Sequence, residues 1–193
     1  MKAILKVTAV TTVVALVSAA AAHAADSAQW TGAYAGGQLQ LNTVSADGVS
    51  STTGLGAAIF GGYQMQFSDH FLLGGDLFYQ YNQAKNHTVA GFSGTANLGT
   101  KGYGVDVLAG FPVGDTGVWM PYAKIGYGWL KAHGTNGGSD IEHSLRYGVG
   151  VAWMVQRYLS LQAQYMYQQV GGPSRNLKNQ NLSVGVTWYF SSD

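Results

Sequence analysis

The chain has no cysteine, few charges and, past its first two dozen residues, no long apolar run. Without cysteine there is no disulfide framework, no thiolate nucleophile and no thiolate-bound metal. Charged residues make up only 10% of the sequence, too few to keep an ordinary globular surface well hydrated. Beyond residue 24 no stretch of eighteen consecutive apolar residues occurs, so a membrane-spanning helix is not expected there. A basic excess is missing too. With Lys2 and Lys6 set aside, eight Lys+Arg face nine Asp+Glu, a net charge of −1. Nothing in that balance attracts nucleic acid, and no acidic run marks a solvated tail.

What is present begins with a targeting segment. Lys2 and Lys6 supply a positive start, an apolar stretch runs from about Val7 to Ala22, and Ala22-His23-Ala24 is a small-x-small cleavage site. This pattern predicts a signal peptide over 1–24 and a mature domain over 25–193 beginning at Ala25. A membrane anchor is the weaker reading, because the apolar stretch is short for a span and is followed by that site.

The mature chain then alternates. Strands are expected near 33–42, 54–67, 71–82, 98–112, 118–131, 141–155, 158–169 and 181–190. Three connections are short: Ser68-Asp69-His70, residues 112–117 and Gln156-Arg157. Four are long and rich in Gly, Asn, Ser and Thr, near 43–53, 83–97, 132–140 and 170–180. Short turns on one side and long loops on the other are the pattern of outer-membrane barrels, with the long loops outside the cell. Odd-numbered strands then run outward and both termini lie in the periplasm.

Period two sorts each strand into two faces. The last strand is clearest, with Leu182, Val184, Val186, Trp188 and Phe190 opposed to Asn181, Ser183, Gly185, Thr187 and Tyr189. Strand six sets Leu145, Tyr147, Val149, Val151, Trp153 and Val155 against Arg146, Gly148, Gly150, Ala152 and Met154. None of the apolar-face positions of these two strands carries a charge. A soluble barrel would alternate as well, with its apolar face inward, but two features favour apolar-outward. Aromatics gather at both ends of the strands, as in membrane girdles. The other face is rich in glycine, which suits the cramped interior of an eight-stranded barrel. The expected fold is an all-β, eight-stranded antiparallel up-and-down transmembrane β-barrel.

The segment Trp30-Thr31-Gly32-Ala33-Tyr34-Ala35-Gly36-Gly37 resembles the W-x-G-x-Y-x-G opening of the outer-membrane β-barrel domain family, the group related to OmpA-type transmembrane domains and opacity-type surface proteins. PYAKIGYGWL (121–130) is similar to that family's fifth strand, 147–170 to its sixth and seventh, and NLSVGVTWYF (181–190) to its closing strand. The resemblance spans nearly the whole mature chain. It implies an address in the outer membrane and insertion by the outer-membrane assembly machinery. That machinery would read the closing strand, with Val184, Val186, Trp188 and the aromatic Phe190. The family pattern ends on that aromatic, whereas Ser191-Ser192-Asp193 follow it here. No peptidoglycan-binding domain is expected, so the periplasmic anchoring role of two-domain OmpA-type proteins is not carried over.

On the inward face four charges are candidates for a lumen ion-pair network: Asp76, Asp106, Lys124 and Arg146. The first three are expected at a similar height, with Arg146 above them. A structural plug is favoured over an ion path, because a barrel this narrow has no open aqueous channel. For catalysis, Glu142-His143-Ser144 is the best local cluster, yet neighbours on a strand point to opposite faces while a nucleophile and its base must touch. The lipid A deacylases carry His and Ser near the end of strand seven, where this chain reads Gln168-Gln169-Val170-Gly171-Gly172. His87 with Ser93 is loop composition, His70 a turn residue and His133 a loop residue, and no two histidines have metal-ligand spacing on one face. No catalytic residue, cofactor or metal is therefore expected. Lys85, His87, Lys101, Lys131, Arg175 and Lys178 lie in or near the outer ends, where they can meet lipopolysaccharide phosphates, although for any single one of them simple solvation of a loop is the favoured reading. The expected role is structural and surface-exposed, with outer-membrane lipid, lipopolysaccharide and a host or envelope protein as partners. A narrow small-solute channel is the alternative, and a lipid A-modifying enzyme comes third.

Overall fold

A computed structural model describes residues 30–46, 49–68, 70–88, 95–133, 141–172 and 175–190. The proposed signal peptide, Phe92, Ser93 and the three residues after Phe190 lie outside the described residues. Eight strands follow in order: β1 (Gly32–Ala46), β2 (Val49–Ser68), β3 (Phe71–Thr88), β4 (Thr95–Gly110), β5 (Trp119–His133), β6 (Ile141–Gln156), β7 (Leu159–Gly172) and β8 (Arg175–Phe190). Each pairs antiparallel with the next, and β1 pairs with β8 from Ala33↔Phe190 to Ala46↔Leu177, which closes the barrel. Closure leaves no unpaired strand edge, the condition for a β-structure to cross hydrocarbon.

The apolar set faces outward. Leu39 is 68% exposed and Ile59 and Leu77 65%, while Gln40, Gln64, Gln80, Asp106 and Asn181 on the alternate positions are buried. A soluble barrel would show the reverse. The aromatic girdles touch along their circumference. Near the short turns Phe71 contacts Phe67 and Phe111, Trp119 stacks on Trp153, and Tyr158 packs on Trp188 at 4.4 Å between centroids. At the other end Tyr103 stacks on Trp129 at 5.4 Å and Tyr147 meets Tyr167 at 5.3 Å.

Three features depart from the sequence reading. The strands run further toward the long-loop side than expected. They have 14 to 20 residues, against about 9–11 needed to cross a bilayer. Much of what reads as loop near 43–53, 83–97 and 170–180 is therefore paired strand, and His87 and His133 are strand residues opposite Ala96 and Gly99. Once past the lipid, a ladder needs no alternation to continue, and polar β-formers pair freely. The Thr43 and Thr53 hydroxyls meet at 3.0 Å in this way. Second, the β6–β7 register shifts between Met154 and Gln156. That bulge turns Val155, expected on the lipid face, into a buried residue. Third, Gln156 ends β6, and the turn is Arg157-Tyr158. At residues 112–117 the turn needs glycine, because Gly114 (φ 85°) and Gly117 (φ 62°) are left-handed.

Candidate functional site

Glycine makes room inside the wall. A β-carbon on Gly126 would lie 2.0 Å from Asp106 Oδ1, and one on Gly62 would lie 2.0 Å from the Gly75 carbonyl oxygen and 2.8 Å from Asp76 Cβ. Into this space project the four charges singled out above. Asp76 and Asp106 are direct partners across β3 and β4, Asp106 pairs with Gly126 on β5, and Gly126 pairs with Arg146 on β6. Arg146 thus reaches Asp106 over a glycine, with Nε 3.1 Å from Oδ1. That contact is an ion pair without hydrogen-bond alignment. Lys124 reaches past β4 to Asp76, donating from Nζ to Oδ2 at 2.6 Å, with the side chains 5% and 1% exposed. The structure therefore brings the four together as two buried pairs.

The partners of these charges include residues that a search for charges overlooks. Tyr34 donates its hydroxyl to Asp76 Oδ2 at 3.1 Å. The Arg146 guanidinium lies 3.7 Å over the Phe78 ring, and Lys124 Nζ stands 5.4 Å from the Phe60 ring and 5.9 Å from that of Tyr122. These are cation–π contacts in a desolvated setting. The available signal was parity: Tyr34, Phe60, Phe78 and Tyr122 all fall on the face that carries glycine and charge.

Above and below the ion pairs the lumen is also filled. Toward the short turns, Trp30, Leu72, Leu108, Met120, Met154 and Tyr189 form an apolar plug. Trp30 is fully buried, donates from Nε1 to the Gly117 carbonyl at 2.8 Å, and meets Tyr189 edge-on at 6.0 Å. Toward the other end the packing is amide on amide. Gln40 donates to Asn82 (2.7 Å), Asn82 to Thr100 (2.8 Å), and Asn42 to the side-chain carbonyls of Asn179 and Asn181. Between plug and ion pairs a cavity of about 10 Å³ is lined by Tyr34, Phe60, Tyr122 and Lys124, room for about one water molecule.

The remaining candidates are separated. His143 is exposed and its Nδ1 meets the Tyr127 hydroxyl, while Ser144 is buried and accepts a hydrogen bond from Gln168 Nε2 at 3.0 Å. The two side chains lie on opposite faces of β6. His70 is an exposed turn residue. Among the described residues no cluster of three His, Asp or Glu suits a metal. On the outward face Lys101 and Lys131 come directly opposite each other near the long-loop end. Val184, Val186, Trp188 and Phe190 all lie exposed along the lipid face of β8.

A closed eight-stranded barrel with an apolar exterior, two aromatic girdles and a filled interior is an integral outer-membrane protein. The model of the outer membrane protein beta-barrel domain matches residues 12–190. The chain belongs to that family, and its place is the cell outer membrane. Solved structures agree on the fold. Neisserial surface protein A superposes with a TM-score of 0.64 at 20% identity, covering 83% of this chain and 98% of that one. OprG of Pseudomonas aeruginosa gives 0.56 at 16% identity, covering 88% and 100%. Ail, the attachment invasion locus protein of Yersinia pestis, gives 0.53 at 17% identity, covering 82% and 99%. A sequence comparison with curated proteins finds no match.

Proposed function

We propose that this barrel works through its outside, as a non-enzymatic surface protein that supports the envelope and contacts lipopolysaccharide and other partners at its outer end. The observation that carries this reading is the filled lumen. An apolar plug, two buried ion pairs and an amide layer occupy the interior in turn, which disfavours a solute path. Catalysis is disfavoured because His143 and Ser144 diverge. Residues 1–24 serve as a cleaved signal peptide in this proposal, and 25–193 form the mature barrel. The closing strand, through Trp188 and Phe190, is what the assembly machinery engages. The outer-end cations suit polyanionic partners, and the neighbouring Ail barrel has been solved in complex with the heparin analogue sucrose octasulfate. A host or envelope protein would dock on the same end.

The test is envelope permeability. Cells lacking the protein should take up more of a hydrophobic dye such as phenylnaphthylamine, and the wild-type chain should restore the barrier. Unchanged uptake would remove the envelope role. Overexpression should leave the mass of lipid A unaltered, and a shifted mass would reopen the enzymatic reading.

A further inference from the structure

Lys101 on β4 and Lys131 on β5 are direct cross-strand partners on the outward face. Like charges opposite each other destabilise a ladder, and among the described residues neither ammonium has a carboxylate partner. Lys101 leans over the Tyr81 ring, with Nζ 5.5 Å from its centroid, and Tyr81 is the next partner in the same row. Two residues nearer the membrane centre lies the stacked pair Tyr103 and Trp129, part of the outer aromatic girdle. Aromatic girdles mark the depth of lipid headgroups, so the two ammonium groups stand about 7 Å further along the strands, at the level of headgroup phosphates. Among the described residues the one carboxylate near this end, Glu142, falls on the other parity, opposite Leu130.

We propose that Lys101 and Lys131 form a clasp for one phosphate of an outer-leaflet lipid, with the lipid A phosphate as the occupant and its acyl chains lying along the apolar wall below. This rests on the reading above that the outer end contacts lipopolysaccharide, and it moves that contact from the loops to the wall. The chemistry is that of a phosphate between two ammonium donors: it cancels a repulsion that the bare barrel carries, and each donor gains a charge-assisted hydrogen bond. The Tyr81 ring faces the Lys101 ammonium, and the Tyr103–Trp129 stack forms an amphipathic floor beneath the headgroup.

The experiment uses the mature protein folded in detergent micelles and measures lipid retention by native mass spectrometry. The probes are lipid A with both phosphates and lipid A stripped of them. The wild type should hold the phosphorylated lipid roughly tenfold more tightly. Lys101→Gln/Lys131→Gln should erase that difference while its folded, heat-modifiable band stays at least as stable as that of the wild type. Lys101→Arg/Lys131→Arg should keep the preference. Retention of both lipid forms alike by the wild type, or an unchanged preference in the glutamine variant, would overturn the clasp while leaving lipopolysaccharide contact intact. No retention of either lipid would overturn the clasp and the contact together. Displacement by millimolar inorganic phosphate would show a site for free anions and would also overturn the lipid assignment.

Discussion

Gly126 separates Asp106 from Arg146 on the barrel wall, and its missing side chain lets one reach the other. Gly126→Ala should push a methyl into the Asp106 carboxylate and the Val105 carbonyl, which stand 2.0 and 2.3 Å from the added carbon. Overpacking of this kind costs about 1–3 kcal/mol. On the lipid face, Gly37→Ala meets nothing nearer than 3.9 Å and should be neutral or mildly stabilising. Urea unfolding of both variants in vesicles checks the contrast. The ion pairs yield a sharper prediction. Lys124→Met strands the buried Asp76 carboxylate and should cost about 3–5 kcal/mol, whereas Lys124→Met/Asp76→Leu should recover most of that loss. An unchanged urea midpoint for Lys124→Met would mean that the pair plays no part in stability. At this scale the four charges were legible because parity and polarity coincide at each of them. Their aromatic company was not, since Phe60 and Phe78 look like lipid-facing residues until the strand's parity is fixed by its neighbours.

Each strand carries one face for lipid and one for the lumen, and the alternation makes that division readable over most of its length. Val149, 61% exposed at the middle of β6, shows what the division costs to violate. Val149→Arg should destabilise the folded barrel by about 2–4 kcal/mol in a bilayer, as measured by the urea midpoint in vesicles. The alternation fails as a guide where burial stops mattering. Past the outer girdle both faces are wet, the pattern fades, and the ladders continue through residues such as Thr52, Thr53 and Lys178 that read as loop. It fails again at the Met154–Gln156 bulge, because one extra residue in a strand leaves no mark on composition. For β8 the lipid-face aromatics Trp188 and Phe190 close the barrel beside Ala35 and Ala33 of β1. Phe190→Ser should slow insertion several-fold, seen as a smaller heat-modifiable fraction at early times, while the fully assembled barrel keeps its β spectrum.

At the scale of the whole molecule, exterior and interior assign opposite tasks. The exterior is a lipid-facing wall with girdles at two depths, and it accounts for a chain with so few charges. The interior is packed like a small soluble core in the half nearest the short turns, where Trp30 fits under the barrel mouth and ties to the Gly117 carbonyl. That plug escaped the sequence reading because it draws single residues from many elements: Trp30 precedes β1, and the rest come from β3, β4, β5, β6 and β8. Only closure of the sheet brings them together. Ion pairs and amides fill what remains, so the barrel is left with its outer surface as the place to act.

Planar-bilayer recording of the purified mature barrel tests that closure most directly. The filled lumen predicts a silent membrane: no stepwise conductance above the bare-bilayer background at any protein concentration that inserts. Discrete, uniform current steps whose frequency rises with added protein would contradict it and would turn Asp76, Asp106, Lys124 and Arg146 from a plug into the lining of an ion path.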